Sequence, residues 1–194
     1  MTDGNGNFAR LIADVADAHG QRQCLILDDG SAWSYQDLAF WSQRMAGALQ
    51  AHGVASGDRV LVQVEKSPQA VALYLGCLRL GAVYVPLNTA YTEEEVGYFL
   101  GDAEPRVYVC SPARSAVTGA LSAAVLTLDD DGTGSLTQAA AAAPPVTAIA
   151  PCDSGALAAI VYTSGTTGRS KGAMLSHGNL HSNARVLLAE WGWR

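Results

Sequence analysis

Lysine is almost missing from this sequence: it stands only at positions 66 and 171, and arginine supplies the other cations. The formal net charge is −6 at pH 7, so the chain lacks the basic surface that nucleic acid or an anionic membrane requires. No apolar run is long enough to span a bilayer. The longest, 71–87, is interrupted by Arg79, Gly81 and Pro86. The N-terminus, Met-Thr-Asp-Gly-Asn-Gly, has neither the basic region nor the apolar core of a signal peptide, and a cytoplasmic protein is expected. Cys24, Cys77, Cys110 and Cys152 never approach Cys-x-x-Cys spacing, which points to reduced, structural thiols. Charge is sparse at 15% while hydrophobic residues reach 49%, the reverse of a disordered chain. A domain near 194 residues buries roughly 70% of its unfolded surface, so a substantial core is available.

What is present is alternation. Phe8, Leu11, Ile12 and Val15 recur at helical spacing after Asn5 or Asn7 as caps, and this helix ends near Gly20. Segments 24–27 and 32–34 flank Asp28-Asp29-Gly30-Ser31 as a hairpin. Ser34 and Asp37 cap a helix whose apolar face is Leu38, Trp41, Met45 and Leu49, with Gly53 as its stop. A βαβ unit comes next: strand 60–64, a helix opened by Ser67-Pro68, Gly81 as stop, strand 83–87. Thr92 and Glu95 form a capping box, 106–110 is a strand, Ser111-Pro112 opens another helix, and 125–128 is a further strand. Segment 129–151, acidic and then alanine-rich with Pro144-Pro145, reads as a surface excursion. The class expected is α/β, a mainly parallel sheet with helices on both faces.

Residues 162–172 read Tyr-Thr-Ser-Gly-Thr-Thr-Gly-Arg-Ser-Lys-Gly and come directly after a short run with β-branched Ile160 and Val161, expected to be a buried strand over 155–161. Thr163, Ser164, Thr166 and Thr167, interleaved with Gly165 and Gly168, bring hydroxyls and amides into one anion cradle. Arg169 and Lys171 add positive charge suited to a polyphosphate. A solvated linker shares this composition; the strand before and the helix after argue against it. A Walker-type loop fails at two positions, since Ser170 stands where that motif needs glycine and Gly172 where it needs Ser or Thr. After the loop, 173–175 is a short strand, and Ser176 or His177 begins a helix with Leu180, Ala184, Leu187, Leu188 and Trp191 on one face. His177 and His181 have the spacing of a zinc-binding helix, but Gly178 replaces the glutamate of His-Glu-x-x-His and no third ligand is evident, so polar residues near a helix start are the better reading.

The loop closely resembles the phosphate-binding signature of the adenylate-forming superfamily, which includes acyl-CoA synthetases, luciferase-like enzymes and peptide-synthetase adenylation domains. Its pattern is Thr-Ser-Gly-Thr-Thr-Gly, any residue, Pro-Lys-Gly; Ser170 here replaces the proline and removes a fixed φ. Two further segments are similar to superfamily signatures: 33–38, Trp-Ser-Tyr-Gln-Asp-Leu, and 78–92, whose Asn-Thr-Ala-Tyr is similar to acyl-CoA synthetases, malonyl-CoA synthetases included, where adenylation domains more often carry Asp-Pro. Packing explains most of both segments.

The resemblance implies a two-step ligase: a carboxylate attacks the α-phosphate of ATP to give acyl-AMP and pyrophosphate, then a thiol, usually coenzyme A, displaces AMP. It implies phosphate contacts from Thr163, Ser164, Gly165, Thr166, Thr167 and Gly168, a magnesium (Mg2+) contact at Thr163, and Lys171 as the flexible cation. The superfamily's later adenine, ribose and hinge segments and its C-terminal domain are not in these residues. The expectation is therefore that 1–194 is the N-terminal portion of the AMP-binding domain, inactive alone. Its substrate would be a carboxylic acid, fatty acid or malonate being candidates. Alternatives are an adenylation module loading a carrier protein, a non-catalytic phosphate-binding module, and simple NTP hydrolysis.

Overall fold

Local signals fix most helix starts in the computed structural model, which describes residues 5–118, 123–163 and 170–192. Ser34 and Thr92 close full capping boxes with Asp37 and Glu95, and Ser67 caps a helix with proline in its first turn. The elements run α1 (Ala9–His19), β1 (Gln23–Ile26), β2 (Ala32–Ser34), α2 (Tyr35–Ala51), β3 (Arg59–Gln63), α3 (Pro68–Arg79), β4 (Val83–Pro86), α4 (Glu93–Ala103), β5 (Val107–Cys110), a 3-10 helix (Pro112–Thr118), β6 (Ala124–Thr127), α5 (Ser135–Ala142), β7 (Leu157–Thr163), β8 (Lys171–Ser176) and α6 (His177–Trp191).

β1 and β2 form a separate antiparallel hairpin, and the main sheet has the order β6-β5-β3-β4-β7-β8. Its first five strands are parallel; β8 returns antiparallel along β7 at the edge. Strand alternation sends Val60, Val62, Val107 and Val109 to one face, under α2, α3 and α5, and Leu61, Val83, Val85 and Tyr108 to the other, under α4. Helices on both faces of a mainly parallel sheet are the architecture the alternation predicts. On the first face α2 and α3 approach closely at Gly76, where a Cβ would stand 3.0 Å from both Ala46 N and Met45 Cβ. All four cysteines are free thiols, Cys77 and Cys110 being buried. Among the described residues no helix is long and apolar enough to cross a membrane.

Four expectations are corrected. Segment 129–151 is not a plain surface excursion, because α5 lies within it and packs on α2 with Leu136 and Ala140 fully buried. Alanine repetition masked a helix whose one apolar stripe is enough to dock it. Ser111-Pro112 opens a 3-10 helix. α1 has Phe8 at its N-cap and so no side-chain cap from that residue, although Asn7 Oδ1 accepts from Ala9 N–H at 3.0 Å. Most relevant to the site, the strand after the glycine-rich loop is longer than 173–175: β8 begins at Lys171 and pairs along β7, so the two strands form a hairpin, and β7 is only partly buried.

Candidate functional site

β7 runs parallel to β4 and ends at Thr163, at the carboxyl edge of the sheet where doubly wound α/β proteins bind ligands. Its ladder with β8 extends from Ala159↔Leu175 through Tyr162↔Gly172 to Thr163↔Lys171. The hairpin therefore places the Thr163 hydroxyl and the Lys171 amine on facing, exposed backbone positions, 163 and 171 being the last paired residues of the two stems. Ser164, Gly165, Thr166, Thr167, Gly168 and Arg169 lie outside the described residues.

Both stems are tied to α4. Tyr162 Oη donates to Asp102 Oδ2 at 2.5 Å, and Tyr98 Oη donates to the Ser170 carbonyl at 3.1 Å. The Tyr162 ring packs on Phe99 with centroids 4.5 Å apart, and Phe99 packs on Tyr91 at 5.0 Å. Across the ladder, a Cβ at Gly172 would stand 2.7 Å from Ile160 Cγ2, so glycine is what lets β8 lie flat over this face. Burial, and then the hydrogen bond to Asp102, raise the Tyr162 phenol well above its ordinary pKa, so the phenol stays a proton donor. Behind Tyr91, Gln63 Nε2 donates to Asn88 O and Tyr91 O (3.0 and 3.3 Å), and Arg114 donates to Tyr91 O and Thr89 O (2.9 and 2.8 Å). The second signature-like segment is thus a buttress, connected to the stem through the aromatic pairs.

At the other end of β8, Ser176 closes a capping box with Asn179 and starts α6. His177, fully buried, accepts at Nδ1 from Phe8 N–H at 3.1 Å, and its backbone N–H donates to Ala156 O at 3.0 Å. The Nδ1 acceptor requires the neutral ring with its proton on Nε2, which has no partner among the described residues. Burial, then His181, hold its pKa below the usual histidine value, with Asp153 opposing them. Asn7 reinforces the same corner by donating from Nδ2 to Leu78 O and Ala150 O at 2.7 and 3.0 Å. In this structure His177 is a structural acceptor, and the ring of His181 packs edge-on against Phe8 at 5.2 Å.

A cavity of about 930 Å³ opens on the opposite face of the hairpin, where Ala159, Val161 and Leu175 point, walled by Val71, Tyr74 and Tyr84. It is mostly apolar and does not include Thr163 or Lys171. Asp129, Asp130 and Asp131 are the acidic group that stands together among the described residues; Asp131 accepts from Thr133 N–H and Asp129 from Asp130 N–H within their own turn.

Sequence reasoning assigned Thr163 and Lys171 to phosphate, and the structure sets them opposite one another across the ladder; it gave no role to Tyr98, Asp102 or Tyr162, which hydrogen-bond at these stems. Tyr98 and Asp102 stand four residues apart and so share a face of α4, which was a visible signal. Their partners lie 72 and 60 residues away, and no local pattern links them.

The sequence profile described as AMP-binding enzyme matches residues 12–193. L-proline--[L-prolyl-carrier protein] ligase from Pseudomonas fluorescens is 35% identical over 81% of this chain and 32% of its own length. Feruloyl-CoA synthase from an Amycolatopsis species is 35% identical over 83% of this chain and 32% of that protein. Among solved structures, ATP-bound MatB from Rhodopseudomonas palustris superposes with a TM-score of 0.90 at 46% identity, covering 96% of this chain and 38% of that one. The chain therefore spans about a third of the length of these relatives.

Proposed function

The chain belongs to the AMP-binding enzyme family, within the adenylate-forming superfamily, and on that premise we propose that it carries the phosphate-binding hairpin of an acid–thiol ligase. The ligase activates a carboxylic acid with ATP to acyl-AMP and transfers the acyl group to coenzyme A. Residues 1–194 are the N-terminal portion of its AMP-binding domain and do not turn over alone. The observation that carries this reading is the exposed Thr163–Lys171 pair at the carboxyl edge of β7, flanking the sequence that matches the superfamily signature.

Chemically, the hairpin's part is electrostatic. Lys171 is a compact cation on a flexible stem, able to follow the β- and γ-phosphates as charge builds on the pyrophosphate leaving group. Hydroxyls and amides contributed by Thr163, Ser164, Gly165, Thr166, Thr167 and Gly168 hold those phosphates, so that the α-phosphate stays in line for the carboxylate. The Thr163 hydroxyl is an exposed oxygen donor of the hard type magnesium takes, and a bound ion would neutralise phosphate charge there. The carboxylic acid is of the class that becomes a coenzyme A thioester; fatty acids and malonate are the candidates.

The experiment joins residues 1–194 to the remainder of MatB, a graft favoured by 46% identity and a shared backbone. Carboxylate-dependent exchange of labelled pyrophosphate into ATP is the expected activity, slowed about a hundredfold or more by Lys171→Ala. Phosphate release that ignores the carboxylate, or exchange untouched by Lys171→Ala, contradicts the reading. A second reading, delivery to a carrier protein, is favoured by the likeness to the prolyl-carrier ligase; acceptance by a phosphopantetheine domain in place of coenzyme A distinguishes it.

A further inference from the structure

We propose that α4 is a clamp on the hairpin: Tyr98 and Asp102, one helical turn apart, each grip one stem of the 163–171 turn and so act as positioning residues for the phosphate site. The inference rests on the phosphate-site reading above for its function, but not for its geometry. Asp102 takes the outgoing stem through the Tyr162 hydroxyl, one residue before Thr163, and Tyr98 takes the returning stem through the Ser170 carbonyl, one residue before Lys171. The two contacts fall on the immediate neighbours of the two described residues assigned to phosphate.

Three features make this more than incidental packing. The spacing of 98 and 102 aims both side chains from one face of a helix. Phe99, between them in sequence, packs on the Tyr162 ring at 4.5 Å, so the outgoing stem is held by an aromatic face as well as by a hydrogen bond. The returning contact is made to a backbone carbonyl, which every residue type carries. Ser170 gives up the fixed φ of the proline in the superfamily pattern but keeps the carbonyl that Tyr98 uses. α4 is itself anchored by its Thr92–Glu95 capping box and by Val96, Phe99 and Leu100 buried against the sheet, so the helix is a rigid reference for both stems.

Amide hydrogen exchange on the 194-residue chain tests the geometry without ligand. Tyr98→Phe and Tyr162→Phe each remove one oxygen and keep the ring. Exchange at positions 162, 163, 171 and 172 is expected to quicken roughly tenfold, as for loss of one partly buried hydrogen bond, while α2 and α3 amides keep their rates. Asp102→Asn retains an acceptor for Tyr162 and tracks the parent; Asp102→Ala does not. Rates within twofold of the parent in both Tyr→Phe variants overturn the clamp, as does an Asp102→Asn variant as loose as Asp102→Ala. MgATP affinity of the MatB graft, which supplies the adenine and ribose segments these residues lack, is the functional arm. It is expected to fall about tenfold in Tyr98→Phe, and to be lost in Lys171→Ala with stem exchange unchanged. Unaltered MgATP affinity in both clamp variants overturns the positioning role. A MatB graft carrying the parent residues 1–194 that does not bind MgATP overturns the phosphate-site reading, and with it that role, while the exchange rates still decide whether α4 fixes the stems.

Discussion

His177 ties three parts of the chain together with one neutral ring: the N-terminal segment through Phe8 N–H, the approach to β7 through Ala156, and the start of α6. Protonation at Nδ1 removes the acceptor that Phe8 uses. Because burial holds the folded-state pKa below the ordinary histidine value of 6.5, the unfolded chain takes up the proton first. Stability contributed here is intact above that value and is lost as pH falls from about 6.5 toward the depressed folded pKa. Urea midpoints measured between pH 7.5 and 5 are expected to decline, and His177→Asn, which supplies an oxygen acceptor but no proton site, flattens that decline. A decline of equal slope in the variant contradicts the assignment. The carboxylates of Asp37 and Glu95, lowered by their capping-box partners Ser34 and Thr92, lose their contribution as pH falls from the ordinary carboxylate values toward their lower folded ones, a loss that begins at lower pH than that of His177.

Among the elements, α5 is where sequence and structure part most clearly. Its Ser-Leu-Thr-Gln-Ala-Ala-Ala-Ala composition carries little periodic signal, and Leu136 alone supplies a large apolar group, yet Leu136 and Ala140 are fully buried between α2 and β6. Leu136→Ala is expected to lower unfolding free energy by roughly 2–5 kcal/mol in a urea titration. A loss under about 0.5 kcal/mol, normal for an exposed loop, would return the segment to a surface excursion. Elsewhere the signals were local and strong: Ser34–Asp37, Ser67-Pro68 and Thr92–Glu95 announced α2, α3 and α4 because each cap needs only residues within one turn. The proposed loop chemistry rests on the same kind of local signal, as hydroxyls, glycines and Lys171 crowd into one stretch. The full hairpin was not, because β8 is exposed along Lys171, Gly172, Ala173 and Met174 and lacks the apolar alternation that marks a half-buried strand. The grip of α4 on both stems was equally out of reach, since it depends on which strand the sheet places beside β4.

For the whole molecule, the sheet order puts β7 at the far side of β4 from β3, so the edge hairpin is exposed at its last described pair, Thr163 and Lys171, and braced by α4 on one face. The opposite face carries the mostly apolar cavity, which Thr163 and Lys171 do not line. The proposed function turns on where a nucleotide's terminal phosphates sit. The decisive measurement is a crystal structure, with ATP bound, of the MatB graft carrying residues 1–194. Terminal phosphate oxygens within hydrogen-bonding range, about 2.7–3.2 Å, of Thr163 Oγ1 or Lys171 Nζ are the predicted result. A nucleotide seated elsewhere, with Thr163 and Lys171 both facing solvent, would contradict it.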